Sequence, residues 1–262
     1  ITSVHRRGKF LWLTFNHPYA LVIHLGMSGQ VLLPDSSSPR SPHLRAKMSF
    51  ISDKKELHFV DQRTFGYLAL EELAADPFES GVFGGRIPQS IIHIAPDLLE
   101  FFEKTIPARA HSLTLLNEAI RLRKSEIKRV LLNQEVVSGI GNIYADEGLW
   151  QAQIHPEIPA NHLNREQVDL LLRALRKIML KAIKAGGSSI DEQYKRVNGE
   201  SGYFDLELNA YGCDGEPWLQ REPRDGQVGA WRAGKGDGRW PRSTITTSGQ
   251  AVRAWRSSTG ST

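Results

Sequence analysis

Short apolar runs separated by turn-forming residues occupy the first third of the chain. KFLWLTF (9–15), ALVIHL (20–25), RAKMSFI (45–51), ELHFV (56–60) and GYLAL (66–70) are rich in β-branched and aromatic residues. Clusters such as Asn16-His17-Pro18 and Pro34-Asp35-Ser36-Ser37-Ser38-Pro39 lie between them. This alternation predicts an antiparallel β domain over residues 1–75. A Gly- and Pro-rich passage over 76–96 reads as a linker. Beyond it the apolar period becomes helical, with helices predicted near 97–104, 112–122, 126–134, 143–152 and 165–185. In the last of these, Asn164 and Gln167 form a capping-box pattern. Val168, Leu171, Leu172, Leu175, Ile178, Met179 and Ile183 make a core-facing stripe that ends at Gly186-Gly187. The fold class is therefore α+β, with an all-helical second domain over 97–217.

Leu131–Trp150, LLNQEVVSGIGNIYADEGLW, sets a Gly-x-Gly-Asn turn between two of these helices. Gly139 and Gly141 can take positive φ or bring backbone N–H groups close to a ligand, and Asn142 falls where the following helix needs an N-cap. A helix start of this kind attracts anions, so the turn is suited to a phosphate. Asp146 and Glu147 are expected in the first turn, and Ile143, Leu149 and Trp150 on the docking face. Without further context, the same four residues are also an ordinary tight turn.

Charge alters the picture once it is located. The pI near 9.2 suggests a polyanionic partner. Yet Ile1 to Pro217 carries 25 Lys and Arg against 26 Asp and Glu, while Trp218 to Thr262 carries 8 against 3. The basic excess belongs to the tail, so DNA binding must rest on where individual cations sit. The tail, 218–262, holds four of the six tryptophans but only four aliphatic residues, and is expected to be disordered. Natural disordered segments are poor in aromatics, so this composition reads as out-of-frame sequence. One cysteine, Cys213, excludes an internal disulfide and points to a reducing, cytoplasmic setting. No apolar run is long enough to span a bilayer.

Five motifs in a fixed order identify a resemblance to the bacterial formamidopyrimidine-DNA glycosylase family of base-excision repair over residues 4–217. They are Arg6-Arg7-Gly8-Lys9, the His24–Gly29 turn HLGMSG, the DxRxFG pattern Asp61–Gly66, the helix-two-turn-helix 126–152, and the GG…GYF…YG stretch from Gly186 to Gly212. The resemblance implies an antiparallel β-sandwich, truncated at its N-terminus, followed by a helix-two-turn-helix DNA-binding domain. It also implies a partner: double-stranded DNA carrying an oxidised purine or an abasic site, bound by a monomer.

Such an enzyme extrudes its target nucleotide and must fill the gap left behind. Met27, Arg63 and Phe65 have the chemistry for this, since a thioether and a ring can wedge between bases and a guanidinium can meet the orphaned base. Composition alone would make Met27 and Phe65 core residues and Arg63 a surface ion-pair partner; the resemblance makes them the void-filling triad. It further places Lys9, at the start of a strand, in the active site in a supporting role. His43, Gly139, Gly141 and Asn142 are placed on the DNA backbone, and Ser188, Ser189 and Tyr203 in a loop over the flipped base.

The sequence departs from the family in three ways. It opens at Ile1, near the RRGK strand, so the proline nucleophile and its neighbouring glutamate are expected to be missing. No cysteine follows Cys213, so the family's zinc hairpin is expected to be absent and no cofactor or metal is expected. Thr64 stands where the family pairs a second arginine with Arg63. Two functions remain open: a DNA glycosylase and AP lyase acting through a Schiff base, and a non-catalytic damaged-DNA-binding remnant.

Overall fold

The computed structural model describes residues 1–51, 53–79, 85–103, 112–185 and 209–211. Those up to 185 belong to one compact unit, Ile1–Leu208, and Asn209–Thr262 form a second.

Two antiparallel sheets build the first part of the unit. The larger has the order β1 (Ser3–Arg7), β2 (Phe10–Phe15), β3 (His17–His24), β7 (Tyr67–Ala75), β8 (Arg86–Pro88); the smaller has the order β4 (Gly29–Leu32), β6 (Glu56–Asp61), β5 (Leu44–Ser49). Alternation decides which face each residue joins. Leu13, Leu21 and Ile23 from the large sheet meet Leu57 and Phe59 from the small one, and this cluster is the interior of the sandwich. Trp12, Ala20, Val22 and Leu73 point to the other face, where Ile87, Ile91 and Ile94 cover them.

The expected strands are present, together with three that the pattern does not predict: β1, β4 and β8. The passage 76–96, expected as a linker, supplies β8 and the buried Ile87, Ile91 and Ile94 within its described residues. His17 and Pro18, expected in a turn, open β3, because a register shift between Thr14 and Phe15 lets Phe15 pair with His17.

The helices follow as α1 (Leu98–Glu103), α2 (Leu113–Arg121), α3 (Ile127–Leu132), α4 (Asn142–Gln151) and α5 (Arg165–Ala185). The capping box of α5 is formed in both directions: the Gln167 amide donates to Asn164 Oδ1 at 2.8 Å, and the Asn164 amide to Gln167 Oε1 at 2.9 Å. Its stripe is buried as expected except at Ile183, which is 60% exposed, because Ala182 takes the inward position of the last turn. Where α4 crosses α5, a β-carbon on Gly148 would stand 2.4 Å from Leu175 Cδ2, so glycine lets the helices approach.

Candidate nucleic-acid interface

Cross-strand register gathers the candidate residues at one end of the large sheet. Phe10, His24 and Tyr67 pair in a row across β2, β3 and β7, and their rings follow one another, Phe10 to His24 at 4.8 Å and His24 to Tyr67 at 5.6 Å. The chain leaves this row by three turns: Gly8-Lys9, Leu25–Ser28, and Gln62–Gly66. A fourth turn, Ser138–Gly141, docks on the first.

Asp61 builds the Gln62–Gly66 loop. Its carboxylate accepts hydrogen bonds from the Ser28 hydroxyl and from the amides of Arg63 at 3.2 Å and Gly66 at 2.7 Å. Burial works against its charge, but these donors hold the Asp61 carboxyl below its ordinary pKa. With the loop fixed, Arg63 projects outward and its guanidinium lies 5.5 Å from the Phe65 ring centroid. Gly26, at φ +60°, packs against the Phe65 backbone so closely that a β-carbon would come within 2.5 Å. That contact brings Met27 beside the arginine loop. Met27 is 42% and Phe65 55% exposed, which rules out a core role for either. Arg63 is exposed and makes no ion pair among the described residues. Thr64 takes φ +57°, a strained value for a β-branched residue and one imposed by the tight loop. His43 lies next to this loop, its carbonyl accepting from the Asp61 amide at 3.0 Å.

The RRGK motif divides into three roles. Arg7 is fully buried, forked onto Asp76 at 3.0 and 2.8 Å and 3.4 Å from Glu100. Arg6 pairs with Asp97, which also receives the Gly8 amide. Arg7 is therefore not available to a phosphate, while Arg6, its side chain 45% exposed, is tied to Asp97 just before α1. Lys9 remains, and it sits in that turn rather than at the start of a strand. Its side chain reaches the surface beside the Ser138–Gly141 turn, where a β-carbon on Gly141 would be 3.7 Å from Nζ. Protein crowded around the ammonium lowers its pKa, and burial followed by Lys9 itself lowers that of His24.

The Gly-x-Gly-Asn turn is organised differently from the sequence expectation. Gly141, extended at φ −114° and ψ −178°, is the N-cap of α4, and its carbonyl accepts from Ala145 at 2.9 Å. Asn142 is the first helical residue, since the glycine already provides the non-helical cap. Its Oδ1 is buried without a hydrogen-bond partner among the described residues. Gly139 takes the left-handed φ of +87°. Asp146 and Glu147 fall in the second turn and are buried, Asp146 2.7 Å from the Lys128 ammonium of α3. They are internal ties rather than dipole partners.

Sequence reasoning missed Gln134 and Lys128, and placed Asp61 and His24 in motifs without giving either a role. Ser188, Ser189 and Tyr203, expected in the lesion loop, lie outside the described residues, as do Cys213 and the 218–262 tail. No cluster able to hold a metal and no helix long and apolar enough to cross a membrane occurs among the described residues.

Comparison with known proteins places these elements together. Residues 1–68 match the formamidopyrimidine-DNA glycosylase N-terminal domain, and residues 107–194 its H2TH domain. The formamidopyrimidine-DNA glycosylase of Corynebacterium glutamicum (strain R) is 45% identical over 225 residues, covering 83% of this chain and 72% of that protein. Among solved structures, the Lactococcus lactis protein in complex with DNA containing an abasic site is 32% identical with a TM-score of 0.62, over 83% of this chain and 72% of that one. The Thermus thermophilus protein gives a TM-score of 0.64 at 30% identity, over 83% of this chain and 73% of that one.

Proposed function

The chain belongs to the formamidopyrimidine-DNA glycosylase family, and from that premise we propose that it acts in base-excision repair on duplex DNA carrying an oxidised purine or an abasic site. The reaction is that of a DNA glycosylase and AP lyase. An amine attacks the sugar C1′ as the glycosidic bond breaks and the damaged base leaves with a proton. Breaking of the C1′–O4′ bond, with O4′ protonated, gives the Schiff base, and loss of a C2′ proton then expels the 3′-phosphate.

One observation carries the proposal: a cation, an anion-binding helix start and an exposed wedge stand at one end of a single scaffold. Lys9 and the Gly141-Asn142 start of α4 take the backbone beside the damaged site, the ammonium and the first amides of the helix donating to phosphate oxygens. Met27, Arg63 and Phe65 enter the helix as the nucleotide leaves, the apolar pair replacing lost stacking and Arg63 meeting the orphaned base. Burial that lowers the pKa of Lys9 also readies it to exchange a proton with the sugar, a supporting role. Ser188, Ser189 and Tyr203 cover the extruded base. His43 steadies the DNA backbone beside the arginine loop. We further propose a cytoplasmic setting, which the single cysteine supports, and a monomer.

Borohydride trapping of the 262-residue chain on duplexes with an oxidised guanine or an abasic site, beside a gel shift, tests this reading. A covalent adduct supports the glycosylase and lyase. The described site is assembled from binding groups, which favours as second reading a non-catalytic damaged-DNA binder. A lesion-selective, salt-sensitive shift without adduct selects that reading. Absence of both signals overturns the proposal.

A further inference from the structure

Gln134 is neither exposed nor part of a regular element, yet its side chain makes three hydrogen bonds to backbone. Nε2 donates to the carbonyls of Leu132 and Ile140, each at 3.0 Å, and Oε1 accepts from the Gly139 amide at 3.0 Å. Its own carbonyl accepts from Ala95 at 2.9 Å, which ties the same residue to the segment before α1. The carboxamide thus replaces the backbone ladder where α3 has ended and α4 has not begun.

These bonds decide which way the turn faces. In a trans peptide the C=O and the following N–H point in opposite directions. With the Ile140 carbonyl held by Gln134, the Gly141 N–H is directed away from the carboxamide, and Lys9 Nζ stands 3.7 Å from where a Gly141 β-carbon would lie. With the Gly139 amide also held, Gly139 keeps its φ of +87°, and a β-carbon there would lie 3.7 Å from Gly8 Cα. Gly8 in turn precedes Lys9.

We propose that Gln134 is the positioning residue of the DNA interface: its carboxamide aims the Gly141 amide and seats the Gly8-Lys9 turn, so that both address one phosphate. This rests on the DNA-binding reading above and adds to it the group that sets the geometry. A purely structural Gln134 would support folding without affecting how many phosphates the protein neutralises.

The test is binding of the full chain to an abasic-site duplex across a salt series, for the parent and for Gln134→Glu. The carboxylate keeps the acceptor for Gly139 but presents oxygen to two carbonyls, so the Ile140 peptide turns away. The expected result is a cooperatively melting variant with affinity at least roughly tenfold lower and a shallower plot of log K against log salt, by about 0.9 for one lost phosphate. Gln134→Asn, which keeps the amide but falls short of three partners, gives the same direction with a smaller loss and serves if Gln134→Glu does not fold. Parental affinity and slope in either folded variant overturn the proposal. A parent that shows no salt-sensitive binding overturns the DNA reading instead.

Discussion

Gly8 and Ser138 meet so closely that a β-carbon on the glycine would stand 2.6 Å from the serine hydroxyl oxygen. This contact joins the β1–β2 turn to the helix-two-turn-helix, and Gly8 is held there at φ +55°. Gly8→Ala should therefore lose about 1–3 kcal/mol to backbone strain alone, with a further loss as the turns are pushed apart. Denaturant unfolding measures the first effect. Weaker binding of an abasic-site duplex, measured well below the melting point, reports the second.

The wedge residues should behave in the opposite way. Met27 and Phe65 are exposed, so Met27→Ala and Phe65→Ala should leave the melting temperature nearly unchanged. Phe65→Ala should weaken binding to lesion duplex by about 1–3 kcal/mol, the scale of one base stacked on an aromatic ring; Met27→Ala should act in the same direction, and both should weaken undamaged duplex less. A competition gel shift with both duplexes measures this difference. Equal losses on both would remove the void-filling role.

Asp61 supports Arg63 from beneath. Its pKa is lowered in the folded state, so its contribution to stability is present above the unfolded value and fades as pH falls through the folded one. Asp61→Ala should cost about 1.5–3 kcal/mol, the worth of hydrogen bonds to a charged group, and should remove that acid-side dependence. It should also reduce lesion selectivity as Arg63→Ala does. Stability curves at two pH values, with the same competition assay, check both.

Glu100 has the reverse sign. Burial, opposed by Arg7 and reinforced by Asp97, pushes its carboxyl up to about 7. A raised pKa stabilises the fold below the unfolded value, and that stabilisation drains away as pH rises toward 7. Glu100→Gln should flatten melting temperature against pH in this window. An unchanged profile would contradict the raised Glu100 pKa.

Local signals carry much of the fold, and nonlocal pairing hides the rest. The Asn164–Gln167 box is legible because both partners lie within one turn, and both hydrogen bonds form. By contrast β4 and β8 are four and three residues long and exist through partners such as Val60 for Gln30 and Leu73 for Pro88, far away in sequence. Arg7 reads with Arg6 and Lys9 as one basic motif. Only the register of β1 against β2 turns it inward, onto acids 69 and 93 residues further along. The expected Asn142 cap does not form, because α4 begins one residue earlier, with Gly141 extended as its N-cap. Met27, Arg63 and Phe65 can be named from motif order, but nothing local separates an exposed wedge from a core.

Amide hydrogen exchange of the full chain, with and without an abasic-site duplex, tests most directly whether four separate turns form one DNA interface. Protection should appear together at residues 8–10, 25–29, 61–66 and 138–143, and the sandwich interior at Leu21 to Ile23 should be unaffected. Protection confined to the helical segment, or absent from the 25–29 and 61–66 turns, would contradict the shared interface.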